Sequence, residues 1–277
     1  MKRDIVQEVT NRIVASLEDF LLIPWLKPWD GDAGYRSGYP ISAQSGKEYR
    51  GINRLLLMMA GESDPRWITY KQAQKMGGNV RKGERGTPIV FWQFVNKTKD
   101  EENKFAFCKQ YTVFNVAQCE NLNIEPLEIK PMAENPGTVA DELATKNNIC
   151  VERKGDSAYF SPARDKIVIP ALEAFESESA YASTLLHEMT HWTGHASRLD
   201  RTFGKRFGDQ AYAFEELVAE LGSAFLCAAL GVEGKLQHAN YISGWLDIMK
   251  SDKHAVFTAA REAQKAMDLL LGSEEGK

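Results

Sequence analysis

Hydrophobic and polar positions in the first half of the chain follow two different periods, and each predicts one kind of element. An amphipathic stretch near residues 3–20 has the spacing of a helix, and an apolar run from Leu55 to Met59 predicts a second one. The stretches Pro88–Phe94 and Lys109–Val116 are rich in aromatic and β-branched residues in partial alternation, which predicts strands. The front half is therefore expected to be a small mixed domain, with a curved antiparallel sheet and flanking helices.

The second half has the pattern of a mostly helical unit built on a short sheet. A short sheet is expected near 148–170, followed by helices at about 178–193 and 211–230. Further helices close the chain up to about residue 271. Together the two halves predict an α+β fold.

A proline-rich polar stretch, residues 126–137, separates the two halves. It contains three prolines, which favour an extended linker, so we expect domains at 1–125 and 138–277. Charge is divided in the same way. Residues 1–125 carry 18 Lys and Arg against 15 Asp and Glu, while the remaining 152 residues carry 16 against 23. A mildly basic front is therefore expected beside an acidic rear.

Composition excludes a membrane-spanning role. Hydrophobic residues make up 43% of the chain, but no long uncharged apolar run occurs. The N-terminal stretch contains Glu8, Glu18 and Asp19 and does not resemble a signal peptide. Four cysteines are scattered without CxxC spacing, which favours reduced thiols and a cytoplasmic protein.

The segment His187-Glu188-Met189-Thr190-His191 carries the most specific chemistry. Residues four apart on a helix share one face, so both imidazoles can bind one ion. Glu188 then lies beside the metal-bound water as a general base. The pattern predicts a hydrolytic zinc centre, with manganese or cobalt as other possible ions. The alternative is a surface helix with two unrelated histidines.

A hydrolytic zinc site needs a third protein ligand, and the predicted helix at 211–230 supplies candidates. Glu216 and Glu220 are four apart among apolar residues, where burial of a carboxylate is costly without a cation. We expect Glu216 to bind the metal and Glu220 to accept the outer N–H of a ligand histidine. The opposite assignment, with Glu220 as ligand, stays open, as does a solvated face for both.

His195 follows Gly194 directly, so the longer HExxHxxGxxH pattern is not met. Two roles are open for this histidine. It donates a hydrogen bond to a reaction oxyanion, or it caps the C-terminus of the active-site helix as a cation.

Cations alternate with aromatic residues across the front half, most densely between residues 65 and 99. Lys and Arg bind phosphates, and exposed aromatic faces stack on unpaired bases, so this pattern favours single-stranded nucleic acid. The alternatives are aromatic residues in the core and lysines on a solvated face. The candidate contact residues are Arg50, Arg54, Trp67, Lys71, Lys75, Arg81, Lys82, Arg85 and Trp92.

Short motifs along nearly the whole chain resemble those of the ArdC-type antirestriction proteins of conjugative plasmids. The front motifs are Pro24-Trp25-x-x-Pro28-Trp29, Tyr49-Arg-Gly-Ile-Asn53, Trp67-x-Thr69-x-x-Gln72-Ala73, Gly78-x-Val80-Arg-Lys-Gly83 and Val113-Phe-Asn-Val116. The rear motifs are Asp165-x-Ile167-x-x-Pro170, Thr184-Leu-x-His-Glu-x-x-His-Trp-Thr-Gly-His195, Arg198-Leu199 and Glu215-Glu-Leu-x-Ala-Glu220.

This resemblance implies a single-stranded-DNA-binding domain followed by a zincin-like metallopeptidase domain. The spacing of Glu216 and Glu220 is also similar to that of the glutamate zincins. The implied role is protection of incoming plasmid DNA from restriction in a recipient cell. The strand Asp165–Ile169 is expected to be the sheet edge that pairs with an extended substrate. Three functions compete: a metallopeptidase guided or activated by DNA, a non-proteolytic DNA-binding shield whose metal is structural or vestigial, and a nuclease.

Overall fold

The computed structural model describes residues 3–20, 25, 38–62, 64–96, 104–125, 131–202, 210–234 and 241–272. Pro24, Pro28, Trp29 and residues 126–130 of the predicted linker lie outside this range. The helices are α1 (Ile5–Phe20), α2 (Ile52–Met58), α3 (Tyr70–Lys75), α4 (Pro136–Lys146), α5 (Glu178–Thr193), α6 (Gln210–Leu230), α7 (Ile242–Ser251) and α8 (Ala255–Leu271). The strands are β1 (Ile41–Ser42), β2 (Arg66–Ile68), β3 (Asn79–Val80), β4 (Thr87–Asn96), β5 (Lys104–Asn115), β6 (Cys119–Glu120), β7 (Cys150–Arg153), β8 (Tyr159–Ser161) and β9 (Lys166–Ile169).

These elements confirm the predicted mixed α+β fold. The front sheet has the order β1-β2-β5-β4, and its centre is the long antiparallel pair β4 and β5. It is not wholly antiparallel, because β1 pairs with β2 in parallel. A separate two-stranded sheet joins β3 and β6. Among the described residues, no helix is both long and apolar enough to span a bilayer.

The rear sheet has the order β7-β9-β8, which corrects one expectation. The predicted edge strand, Asp165–Ile169, corresponds to β9, which is the central strand. It pairs in parallel with β7 and antiparallel with β8, so both of its edges are hydrogen-bonded. The outer strands of this three-stranded sheet are β7 and β8.

Helix α5 confirms the predicted range 178–193. Ser177 caps its start, since the Ser177 hydroxyl accepts a hydrogen bond from the Ala180 N–H at 3.1 Å. The helix ends where Gly194 takes the C-cap position. Every residue from Ala180 to Thr193 is buried, so α5 is a core helix.

Helix α6 packs closely beside α5 because Gly222 lacks a side chain. A Cβ atom at Gly222 would lie 2.5 Å from Cγ2 of Thr190, a distance that real side chains do not adopt. This close approach holds the carboxylates of α6 against the histidines of α5.

One continuous hydrophobic core joins elements from both halves of the chain. It includes Ile13 of α1 and Leu55 of α2 together with Phe225 of α6 and Met267 of α8. Helix α1 also bonds to the C-terminal region, because the Thr10 hydroxyl donates to the carbonyl of Lys253 at 2.7 Å. The boundary at 126–137 stays a prediction, and the two halves share their packing.

Candidate metal centre and aromatic groove

Two histidines from α5 and one glutamate from α6 converge in the rear half. The Nε2 atoms of His187 and His191 lie 3.2 Å apart. Each Nε2 atom lies 3.5 Å from an oxygen of Glu216. All three side chains are buried, and among the described residues this is the one cluster of histidine, cysteine and carboxylate side chains close enough to hold an ion.

These separations fit a divalent cation. Three donors on a tetrahedral ion with bonds of about 2.1 Å lie roughly 3.4 Å from one another. The two nitrogens are 3.2 Å apart, and each lies 3.5 Å from one of the two Glu216 oxygens, Oε2 for His187 and Oε1 for His191, so the observed distances bracket that value. Two imidazoles and a carboxylate are also the donor types of catalytic zinc sites. The residues present are therefore suited to a divalent metal.

Further carboxylates lie behind each histidine. Oε2 of Glu220 is 3.7 Å from Nδ1 of His187, and Oε1 of Glu215 is 3.1 Å from Nδ1 of His191. Arg201 donates to both oxygens of Glu215, at 2.8 and 2.9 Å. Glu216 thus faces the inner nitrogens of the pair, whereas Glu220 faces an outer one.

Sequence reasoning missed Glu215 and Arg201. Glu215 stood in a recognised motif, but its partner was not apparent, because His191 is 24 positions away on another helix. Arg201 lies beyond α5, and only the turn after Thr193 brings its guanidinium back to this helix, where it donates to the carbonyl of Thr190 at 2.7 Å.

The local electrostatics favour positive charge at the histidines. Burial alone would lower the pKa of His187, but Glu216 and Glu220 outweigh burial and raise it to about 9. Burial likewise opposes the charge on His191, while Glu215 and Glu216 raise its pKa to about 10. The pKa of Glu216 is lowered in turn, since hydrogen bonds from the two histidines overcome the cost of burial.

A cavity of about 300 Å³ opens onto this centre. Glu188 lines the cavity together with the edge of β8, including Tyr159 and Phe160. Burial raises the pKa of Glu188, and the two histidines partly oppose this effect. A carboxylate with a raised pKa beside a metal site has the character of a proton acceptor.

Two tyrosines form the other wall of the cavity. The hydroxyl oxygens of Tyr212 and Tyr241 are 2.9 Å apart. Tyr212 precedes Glu216 by one helical turn, so both project from the same face of α6. Burial raises the pKa of both tyrosines, which keeps their hydroxyls protonated as hydrogen-bond donors.

His195 does not line the cavity. Its Nδ1 atom accepts a hydrogen bond from the Ser197 N–H at 3.2 Å, which holds the ring at the end of α5. The ring also makes an edge contact with Phe160, at 6.4 Å between centroids. This position does not support the predicted oxyanion role.

Two predicted nucleic-acid contacts, Arg54 and Trp67, have buried side chains, which does not favour contact with DNA. Arg54 is 0% exposed, pairs with Glu48 at 2.7 Å and lies over the ring of Tyr39 at 4.3 Å. Trp67 is 2% exposed and packs with Ile89 and other apolar residues of a small core. Aromatic and cationic residue types occur in cores as well as on surfaces, and only packing separates the two cases.

The other predicted contacts lie at or near the surface. Trp92 is 42% exposed, with an edge contact to Phe257 of α8 at 6.4 Å. Arg50 is half-buried and forms an ion pair with Asp268 of α8. The remaining candidates are exposed: Lys71, Lys75, Arg81, Lys82 and Arg85.

The front half contains a second, larger cavity of about 820 Å³. Its lining includes Lys47, Arg50, Gln72, Phe91, Trp92 and Tyr111, and we call it the aromatic groove. Phe91 and Tyr111, which are 47% and 41% exposed, were not among the predicted contacts. The alternation of residues in the sequence predicts the strands that carry Phe91 and Tyr111. It does not show which part of a sheet face is exposed to solvent.

The sequence matches two family models. Residues 3–114 match the N-terminal domain of anti-restriction factor ArdC, and residues 138–262 match a zincin-like metallopeptidase family. Protein y4eC of Sinorhizobium fredii (strain NBRC 101917 / NGR234) is 36% identical over 96% of this chain and 91% of its own length. A protein named DNA primase TraC from Escherichia coli is 36% identical, but the chain spans only 28% of its length.

Solved structures give the same result. The metal-free crystal structure of the antirestriction ArdC protein from plasmid R388 is 38% identical, with a TM-score of 0.79 over 97% of each chain. The Mn(II)-bound structure of that protein is 37% identical, also with a TM-score of 0.79, over 99% of this chain and 100% of the other. The matched family models, the sequence identities and the shared fold show that this chain belongs to the ArdC-type antirestriction family.

Proposed function

We propose that the rear half is a zinc-dependent metallopeptidase of the glutamate-zincin type. The observation that supports this most directly is the arrangement of His187, His191 and Glu216, whose separations match three ligands of one tetrahedral ion. In this proposal Glu216 is the third ligand, because it faces the Nε2 atoms of both histidines. Glu215 accepts a hydrogen bond from the outer nitrogen of His191, and Glu220 lies 3.7 Å from the outer nitrogen of His187, so the two carboxylates orient the rings.

A zinc ion held by His187, His191 and Glu216 would supply an activated water by lowering the pKa of that water toward ~7. Glu188 would accept a proton from the attacking water and deliver it to the leaving amine of the peptide. The hydrogen-bonded hydroxyl pair of Tyr212 and Tyr241 donates one hydrogen bond to the oxygen that becomes negatively charged. Strand β8, an outer strand of the rear sheet, borders the same cavity and is the strand beside which an extended peptide would lie.

The front half, in the same proposal, binds single-stranded DNA. Its described residues between 38 and 120 carry 11 Lys and Arg against 5 Asp and Glu, and exposed aromatic rings lie among them. Binding of this kind protects plasmid DNA that enters a recipient cell as a single strand. The family's antirestriction role supports this reading.

The test compares wild-type protein with Glu188→Gln. Both are loaded with zinc and incubated with denatured casein, with and without an oligothymidine strand. We expect hydrolysis by the wild type only, and equal zinc content in the two proteins. Equal hydrolysis by the variant would exclude Glu188 as the base.

A second candidate function is a DNA-binding shield without proteolysis, which the open aromatic groove favours. It predicts that Glu188→Gln still protects DNA when a plasmid is transferred into a restricting recipient. The same transfer assay with a variant that lacks DNA binding is the control. A nuclease role has less support, because one three-ligand cluster is found among the described residues, whereas many nucleases use two metals.

A further inference from the structure

We infer that the aromatic groove is the binding site for unpaired bases of single-stranded DNA, with Phe91 and Tyr111 as the stacking surface. This inference rests on the DNA-binding part of the proposed function and gives it a location. Four observations support it: the exposed aromatic side chains on the floor of the groove, the cations beside the groove, the pairing of the neighbouring acids with arginines, and the volume of the groove.

The floor of the groove is one face of the β4–β5 pair. In the register of this pair Ile89 lies opposite Tyr111, and Phe91 lies opposite Lys109. Ile89 is 2% exposed and belongs to the small core under the groove, but the sheet face stays open at Phe91 and Tyr111. Their rings are 5.5 Å apart at 82°, so two aromatic side chains present themselves together to solvent. Adjacent exposed aromatic rings of this kind are typical of a binding surface.

The edge of this floor is fixed in place by the core. The side-chain amide of Asn53 donates to the carbonyl of Val90 at 2.7 Å and accepts from the Val90 N–H at 2.8 Å. Asn53 is itself buried, so the strand that carries Phe91 is held from α2. A preformed surface loses little entropy when a base stacks on it.

Two exposed lysines lie beside the floor of the groove, and the two neighbouring acids form ion pairs with arginines. Lys47 lines the groove and is exposed, and the exposed Lys109 lies opposite Phe91 in the sheet. The acids beside the groove are Glu48, paired with buried Arg54, and Asp268, paired with Arg50. Cationic side chains therefore outnumber anionic ones beside the groove, which suits phosphates next to stacked bases.

The volume of the groove is sufficient for unpaired bases. About 820 Å³ is within the range of pockets that enclose small ligands, roughly 300–1,000 Å³. Splayed bases can reach rings at the floor of such a groove, whereas a duplex keeps its bases stacked inside. An apolar peptide is the competing occupant, but it has no need of the cationic rim.

The test measures binding of a fluorescein-labelled oligothymidine of about 15 nucleotides by anisotropy, with full-length variants. We expect Phe91→Ala and Tyr111→Ala each to weaken binding roughly 5- to 100-fold. Tyr111→Phe keeps the ring and should bind as the wild type does. Tyr70→Ala is the matched control, since Tyr70 is 48% exposed on α3 and does not line the groove.

A salt series separates stacking from phosphate contacts. Lys47→Ala should reduce the slope of log K against log salt by about 0.7, while Phe91→Ala leaves it unchanged. Unaltered thermal unfolding and zinc content would show that the alanine variants are folded.

Three results would overturn the inference. Wild-type binding with no loss in Phe91→Ala and Tyr111→Ala would place the strand elsewhere on the protein. Equal competition by duplex DNA would exclude base stacking as the source of affinity. Absence of any oligothymidine binding by the wild type would instead reject the DNA-binding function itself, and the groove assignment with it.

Discussion

Glu215 contacts the outer nitrogen of His191, with its Oε1 atom 3.1 Å from Nδ1 of the ring. Arg201 donates a hydrogen bond to the same oxygen of Glu215. The histidine that faces the candidate metal is therefore oriented by a buried chain of charges. Such partners fix the tautomer of a ligand histidine and raise its basicity.

Glu215→Gln is predicted to weaken zinc binding about 10- to 100-fold, because the amide is a poorer acceptor for the ring N–H. A competition titration against a chelating dye measures the change. Glu173→Gln changes an exposed carboxylate that does not line the cavity and is the control. Unchanged affinity in Glu215→Gln would show that the contact to His191 does not tune the site.

Glu216→Ala and Glu220→Ala are predicted to differ in bound metal. Loss of the ligand Glu216 should abolish stoichiometric binding, whereas loss of Glu220 should weaken binding but retain about one ion per chain. Elemental analysis after zinc loading and washing gives the ratio. A greater loss in Glu220→Ala would reverse the two roles.

Tyr212→Phe is predicted to lower the kcat of peptide hydrolysis about 100- to 1,000-fold and to change KM less. The hydroxyl acts on the oxyanion, which forms only in the transition state. Zinc content should stay the same, and Tyr70→Phe should behave as the wild type. A change confined to KM would indicate that Tyr212 binds substrate instead.

Gly222→Ala is predicted to destabilise the protein by about 1–3 kcal/mol, because its Cβ meets Thr190 at 2.5 Å. Urea unfolding measures the free energy. Adding Thr190→Ala removes the methyl and hydroxyl groups that clash and should recover part of the loss. Gly244→Ala is the matched control in another helix, with its nearest atom at 3.3 Å, and should have a smaller effect.

Cysteine reactivity should follow burial. Cys150 is exposed, so a thiol reagent is expected to modify it first in the native protein. Burial raises the pKa of Cys227 to about 12, which keeps its thiol protonated at pH 8 and unreactive until the protein unfolds. Time-resolved labelling followed by peptide mapping checks this order, and Cys150→Ser should remove the first phase. Early labelling of Cys227 would contradict the packing of α6.

Local pattern was enough to predict the elements that carry the chemistry. Helix α5 spans the predicted 178–193, and α6 begins one residue before the predicted 211, because long periodic runs with clear ends determine helices locally. Spacing of four also showed that His187 and His191 share a face, since helical geometry alone requires it.

Contacts between different helices and strands could not be predicted from local pattern. The sequence alone determined the α+β class, the motif helix and the candidate ligands on each helix. Only the tertiary structure decided that Glu215 pairs with His191, that β9 is central, that Arg54 and Trp67 are buried, and that Phe91 and Tyr111 remain exposed. The physical reason is that periodicity acts over a few residues, whereas burial and pairing depend on side chains from distant elements that meet only when the core packs.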